Sequence, residues 1–278
     1  GVMAENKLET YASILAILLC GKTYVVLHPT YPAERNGNIA RQAEIGIILH
    51  SQDMHSLNIS ISLEPICTTG MQRDEPPVDT DAADNVPAYI IFTSGSTGKP
   101  KGVPISRRNM NAFYRAYHRL GWNLDERDRM LQMFELTFDV SVVSFLYPLT
   151  FGACIYTVSP EGIKYLNTID VMEKYELTFA AVAPSLLQLV SPYFSDIRLP
   201  KLKYLIVTAE ASGAKLLADF RQCAPDATFV NLYGPTESTI YCTAYTIPKT
   251  SCKHHNGMVA IGKPFDGIDT CFMDDNGI

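Results

Sequence analysis

Residues 93–102 read TSGSTGKPKG and sit directly behind the apolar run AYIIF at 88–92. Glycines let backbone amides turn toward a bound anion, and the hydroxyls and two lysines add donors, so the stretch has the chemistry of a phosphate cradle. It departs from the P-loop pattern G-x-x-x-x-G-K-[ST]. Gly98 and Lys99 fit, but Thr93 stands where that pattern needs glycine and Pro100 where it needs Ser or Thr. A plain mobile connection would need fewer glycines and lysines than this stretch holds. His254 and His255 beside Cys252 could suggest a metal, but without a second cluster they read as a polar loop.

A cradle has to be held at the end of an element. AYIIF predicts a strand, and Ser106 is placed to cap a helix whose apolar face is Met110, Phe113, Tyr117 and Leu120, so the expected order is strand, loop, helix. The same alternation runs along the chain. TYVVL at 23–27, a helix from Ala33 to Ala43 and IGIIL at 45–49 form one βαβ unit. TFAAVA at 178–183 precedes a helix LLQLV, KYLIV at 203–207 precedes a helix opened by Ser212, and ATFVNLY follows at 227–233. The predicted fold is α/β, with mostly parallel sheets flanked by helices. In such sheets ligands bind at the carboxyl ends of strands. Residues 68–87, polar and proline-bearing, read as a surface linker.

Composition limits what this scaffold serves. The chain has 278 residues, 47% hydrophobic and 19% charged, enough for one large or two small cores. A net charge of -6 argues against non-specific nucleic-acid binding. Seven cysteines, at 20, 67, 154, 223, 242, 252 and 271, form no C-x-x-C pair and predict reduced thiols in a cytoplasmic protein. YASILAILLCG at 11–21 imitates a signal peptide, but Glu5 and Glu9 flank it and bulky Leu19 precedes Cys20. Tyr11, Ile14, Leu15, Leu18 and Leu19 instead make a helical stripe that Gly21 ends. No run approaches the roughly 18 apolar residues of a membrane span, so no membrane partner is expected.

YIIFTSGSTGKPKGV closely resembles the phosphate-loop motif of the adenylate-forming (AMP-binding) superfamily, which includes peptide-synthetase adenylation domains, acyl-CoA synthetases and luciferases. GKTYVVLHPTYPAER at 21–35 is similar to an early stretch of that family, with His28 where Asp is usual. FDVS at 138–141, NLYGPTEST at 231–239 and IGKPFDG at 261–267 match three more motifs in the family's order. The texture is closest to D-alanine:carrier-protein ligases and neighbouring amino-acid adenylation domains of non-ribosomal peptide synthetases.

The resemblance implies ATP and Mg²⁺ as cofactors and assigns roles. Thr93, Ser94, Gly95, Ser96, Thr97, Gly98, Lys99 and Lys101 would wrap the β- and γ-phosphates. Thr236 would bond the α-phosphate and Glu237 would hold Mg²⁺, an oxygen ligand suited to a hard cation. Tyr233, beside Gly234, would stack on adenine, Asn231 would read its amino edge, and Thr208, Ala209 and Glu210 stand in place of a GGE stretch on the adenine side. Lys101, Thr236 and Glu237 would carry catalysis, which in phosphoryl chemistry is mostly positioning and electrostatic stabilisation. Asp139 would pair the substrate's α-ammonium, since a buried carboxylate needs a cationic partner. The competing reading is a cap on the helix that follows. Val140, Val143, Val182, Ile206, Thr208, Leu232, Ile240 and Tyr241 are the expected pocket wall, bulky and uncharged, which predicts a small apolar amino acid.

By resemblance, 1–278 is part of the large N-terminal domain: a first βαβ part at 1–67, the linker at 68–87, and the phosphate loop with the substrate- and adenine-binding part at 88–278. The chain is expected to stop before the ribose-binding aspartate and a small C-terminal domain with its catalytic lysine, and so to be inactive alone. The implied function is activation of a small amino acid as aminoacyl-AMP, for transfer to a phosphopantetheinylated carrier protein. The alternatives are an acyl-CoA synthetase-type ligase of another acid and a non-catalytic nucleotide-binding homologue.

Overall fold

In a computed structural model, which describes residues 1–51, 59–70, 83–94, 100–271 and 273, the βαβ rhythm becomes two sheets of mostly parallel strands. The chain divides into two compact units, Gly1–Ala112 with Phe134–Ser141, and Phe113–Met133 with Val142–Ile278.

The described part of the first unit holds β1 (Val2–Met3), α1 (Leu8–Leu19), β2 (Tyr24–Leu27), α2 (Ala33–Gln42), β3 (Ile47–His50), β4 (Glu64–Cys67), β5 (Pro87–Ser94), β6 (Pro100–Ser106) and the first half of α3 (Arg107–His118). Its sheet runs β4-β3-β1-β2-β5-β6, parallel throughout except for the antiparallel β5–β6 edge. Met3, Val25, Leu27, Ile39 and Ile48 form its buried core, apolar surface that is stabilising because it leaves water. The stop of α1 follows from Gly21 at φ 68°. There the Gly21 amide reaches the Leu18 carbonyl and the Lys22 amide the Ile17 carbonyl, the paired bonds of a Schellman ending. The predicted stripe is narrower than expected: Ile14 is buried, Tyr11, Leu15 and Leu18 are half-buried, and Leu19 is exposed.

In the second unit, beyond the rest of α3, come β7 (Arg129–Gln132), most of α4 (Val140–Leu149), β8 (Cys154–Thr157), α5 (Lys164–Lys174), β9 (Phe179–Val182), α6 (Pro184–Val190), β10 (Tyr204–Val207), α7 (Ala214–Phe220), β11 (Thr228–Tyr233) and β12 (Thr243–Ile247). Three two-residue strands follow, β13 (His254–His255), β14 (Met258–Val259) and β15 (Lys263–Pro264). The sheet order is β15-β12-β11-β10-β9-β7-β8. It is parallel from β8 to β11, with β12 and β15 antiparallel at one side. Strand residues alternate faces. Val182, Leu205, Val207 and Phe229 share one core with Leu186, Leu187 and Val190 of α6 and Leu217 and Phe220 of α7. On the other face an aromatic layer packs, in which Trp122 meets Phe179 at 5.6 Å, Tyr204 at 5.1 Å and Tyr117 at 5.4 Å between ring centroids.

Two further predicted details differ. The phosphate loop is followed by a strand, β6, before α3, so it closes an antiparallel hairpin and not a strand-to-helix turn. Ser106 still caps α3, accepting from the Asn109 amide at 3.1 Å and pairing with the Asn109 side chain. Ser212, expected to open a helix, lies buried one residue before the true cap, Gly213, and α7 starts at Ala214. Among the described residues no helix is long and apolar enough to cross a membrane.

Candidate functional site

The candidate residues of the first unit gather where parallel strands end. Thr93 and Ser94 finish β5, and Lys101, the second residue of β6, lies directly opposite Thr93, whose hydroxyl donates to the Lys101 carbonyl at 3.4 Å. Lys101 and Ser94 are exposed. Gly95, Ser96, Thr97, Gly98 and Lys99 lie outside the described residues. Gly102 has a steric reason: a Cβ there would come within 3.0 Å of the Phe92 ring and 3.1 Å of Ile90. Beside β5 runs β2, from whose carboxyl end the chain passes to His28.

The segment 134–141 belongs to the same unit. The Glu135 carbonyl accepts from the Phe138 amide at 2.9 Å, and the Phe138 carbonyl accepts from the Ser141 amide at 3.1 Å and the Ser141 hydroxyl at 2.6 Å. These turns carry Asp139, 9% exposed, to the residue immediately before α4, with Val140 buried next to it. His28 Nε2 stands 3.5 Å from a Glu135 carboxylate oxygen. Position 28 was visible as a departure from the family pattern, but its partner, far along the chain, was not.

In the second unit, β10 and β11 end in the adenine-side candidates. Thr208 is buried, its amide bonded to the Val182 carbonyl at 3.2 Å. Ala209 follows at φ 70°, a left-handed backbone. The Glu210 carboxylate accepts from the Ser185 amide at 3.0 Å and the Ser185 hydroxyl at 2.8 Å. That contact places an acidic group on the open donors of the first turn of α6, a structural task the sequence did not reveal.

Asn231 is buried and donates Nδ2 to the Ala260 carbonyl at 3.0 Å. Tyr233, the last residue of β11, is 48% exposed. After it the chain turns sharply. The Tyr233 carbonyl takes the Cys242 amide at 2.8 Å, and a Cβ on Gly234 would fall 2.6 Å from the Ile240 carbonyl oxygen and the Tyr241 Cα, so only glycine fits. Between these crossing strands lies a single 3-10 turn, Thr236–Ser238, with Glu237 exposed. Thr239 and Ile240 then hold φ 66° and 70°.

The pocket-wall residues fall into two groups. Ile206 and Leu232, both buried, alternate with core residues and so share the face opposite the α6–α7 core. Tyr241 lies in the aromatic layer, 6.3 Å from Phe113 and from Tyr117, and Val143 and Ile240 are buried in the same unit. Val182 is not brought together with Ile206 and Leu232. It pairs with Val207 and points into the core beneath α6.

The burial of the aromatic layer shifts its phenols. Burial pushes Tyr147 up to about 12 and, with Tyr241, Tyr147 and Tyr114 close by, lifts Tyr117 well above the usual range. His254 and His255 lie exposed on a small hairpin, and among the described residues no group of three or more His, Cys, Asp or Glu could hold a metal by itself. A hard divalent ion at Glu237 would take its remaining oxygens from phosphates and water, which suits Mg²⁺.

The sequence profile of the family described as AMP-binding enzyme matches residues 1–277. Surfactin synthase subunit 2 of Bacillus subtilis (strain 168) is 28% identical over 99% of the chain, which spans 8% of that protein. Tyrocidine synthase 1 of Brevibacillus parabrevis is 29% identical over 95% of the chain, which spans 24% of it. Among solved structures, the Vibrio cholerae adenylation domain AlmE, determined in complex with glycyl-adenosine-5'-phosphate, superposes with a TM-score of 0.84 at 24% identity, over 100% of this chain and 57% of that one.

Proposed function

The chain belongs to the AMP-binding enzyme family, and we propose that the protein carrying it activates a small amino acid as its aminoacyl-AMP with ATP, then passes the acyl group to the phosphopantetheine thiol of a carrier protein. The similarity to relatives named as nonribosomal peptide synthetases supports an amino-acid substrate. The observation that carries the reading is Asp139, a buried carboxylate held by two turns at the start of α4. A buried carboxylate is favourable when a cation meets it, and the α-ammonium of an amino acid is such a cation.

In the reaction a substrate carboxylate oxygen bonds to the α-phosphorus, the bond from that phosphorus to the bridging oxygen breaks, and pyrophosphate leaves. In the first unit, Thr93, Ser94 and Lys101, with 95–99 between them, would hold the β- and γ-phosphates. In the second, Thr236 would donate to the α-phosphate and Glu237 would ligate Mg²⁺, which neutralises phosphate charge when bound. Tyr233 would stack on adenine, with Ala209, Glu210 and Gly234 beside it. Asn231 has committed Nδ2 to Ala260, so Oδ1 is the atom left to read an adenine amino group. In the second unit, Val143, Ile206, Thr208, Leu232, Ile240 and Tyr241 would bound the side chain, and their bulk favours a small one.

The test is ATP–pyrophosphate exchange by the full-length protein across L- and D-amino acids and fatty acids. Exchange should depend on a small amino acid, and Asp139→Ala should lower it by at least about thirtyfold, the cost of stripping one partner from a buried charge pair. Exchange driven by fatty acids, or unaffected by Asp139→Ala, overturns the reading.

A further inference from the structure

We propose that His28 is a positioning residue for the amino-acid substrate, acting through Glu135 on the segment that carries Asp139; this rests on the amino-acid reading above. His28 is itself firmly placed. Asn36 of α2, fully buried, accepts from the His28 amide at 3.3 Å and donates to the His28 carbonyl at 2.8 Å. The ring is fixed as well, since the Thr30 amide donates to Nδ1 at 3.2 Å, with the Thr30 hydroxyl 2.9 Å from the same nitrogen. A backbone N–H can only give a proton, so Nδ1 is an acceptor and the neutral ring carries its hydrogen on Nε2. That is the nitrogen facing the Glu135 carboxylate at 3.5 Å. Tyr31 lies 4.9 Å from the imidazole, and Arg35 sits over the Tyr31 ring at 4.2 Å.

On the other side of the contact, Glu135 begins the two successive turns that deliver Asp139. Tyr31 and Thr137 also line one small cavity with Phe92, so the turn after β2 and the segment 134–141 meet in a second place. The Glu135 side chain is 48% exposed, which screens the contact and limits its energy. Its effect is one of placement: His28 sets where the Asp139 carboxylate stands, and so how well an ammonium is received.

In the full-length protein, His28→Ala should raise the KM for the amino acid about two- to fivefold, the range of a partly exposed pair, while kcat and the KM for ATP hold. His28→Gln, which can still present an amide donor, should recover most of the loss. His28→Asp, which sets two carboxylates face to face, should do worse than alanine. Glu135→Ala should add little in the His28→Ala background. Equal rises in both KM values, or additive effects, overturn the proposal. Independently of activity, His28→Ala should speed hydrogen exchange at the Phe138 and Ser141 amides and leave those of β5 and β6 unchanged; no change at 138 and 141 also overturns it. Wild-type protein without amino-acid-dependent exchange overturns the proposed function instead, and the hydrogen-exchange arm still decides whether His28 holds the segment.

Discussion

Ala209, Thr239 and Ile240 hold φ 70°, 66° and 70°, backbone that costs an L side chain about 1 kcal/mol or more, and a β-branched one most of all. The other non-glycine residues of this kind among the described ones, Glu44, Glu176 and Asn256, sit exposed in turns. The first three instead stand beside the residues proposed to meet the nucleotide, Glu210 on one side and Thr236 and Glu237 on the other. Strain of this sort persists where surrounding contacts impose it, and around Ile240 the Gly234 crossing does so. Ala209→Gly removes the Cβ at the least encumbered of the three positions. It should raise stability by up to about 1 kcal/mol, measured as a later urea midpoint with unchanged slope. An earlier midpoint would mean that the alanine methyl makes a contact worth more than the backbone strain.

At the level of elements, Glu210 joins the loop after β10 to the first turn of α6. Glu210→Ala should therefore cost about 0.5–2 kcal/mol, as loss of a capping group does, seen in the same denaturation curve. If the carboxylate serves only the nucleotide, stability stays put and the KM for ATP rises instead. Some elements were legible because their signal is local. Gly21 ends α1 and Ser106 caps α3, each by chemistry contained within one turn. Strand β6 was not legible: Pro100, Gly102 and Pro104 argue against a strand, and they are tolerated only because β6 is the edge of its sheet, where a missing amide leaves no ladder bond unmade. Ser212 failed as a cap because tertiary burial claimed it.

Across the whole molecule, linear motifs announced the phosphate-loop flanks, Asp139 and the Tyr233–Glu237 turn. Relations that span the chain did not show. The His28–Glu135 contact joins positions with no common motif, and Val182 lies on the core face because facing depends on strand parity, which motif resemblance does not carry. The buried phenols give the chain a limit on the alkaline side. An unfolded tyrosine ionises near 10 whereas folded Tyr147 waits until about 12, and Tyr24 and Tyr117 are shifted in the same direction by burial. The raised folded value means this stability is fully present below about pH 10. It is lost as pH climbs toward 12, because the unfolded chain releases protons first. Phenolate absorbance should thus rise together with loss of circular dichroism, and Tyr147→Phe should move the onset upward. Ionisation completed before any structural loss would contradict this.

Trp122 is the only tryptophan in the chain, and its neighbours Tyr117, Phe179 and Tyr204 all belong to the second unit. Intrinsic fluorescence excited at the indole is consequently blind to the first unit and reads the second alone. Energy transfer from the surrounding tyrosines should fade as the aromatic layer comes apart, while circular dichroism sums both units. Wherever the two optical signals separate along a denaturant series, the stabilities of the halves can be told apart without attaching a label to either.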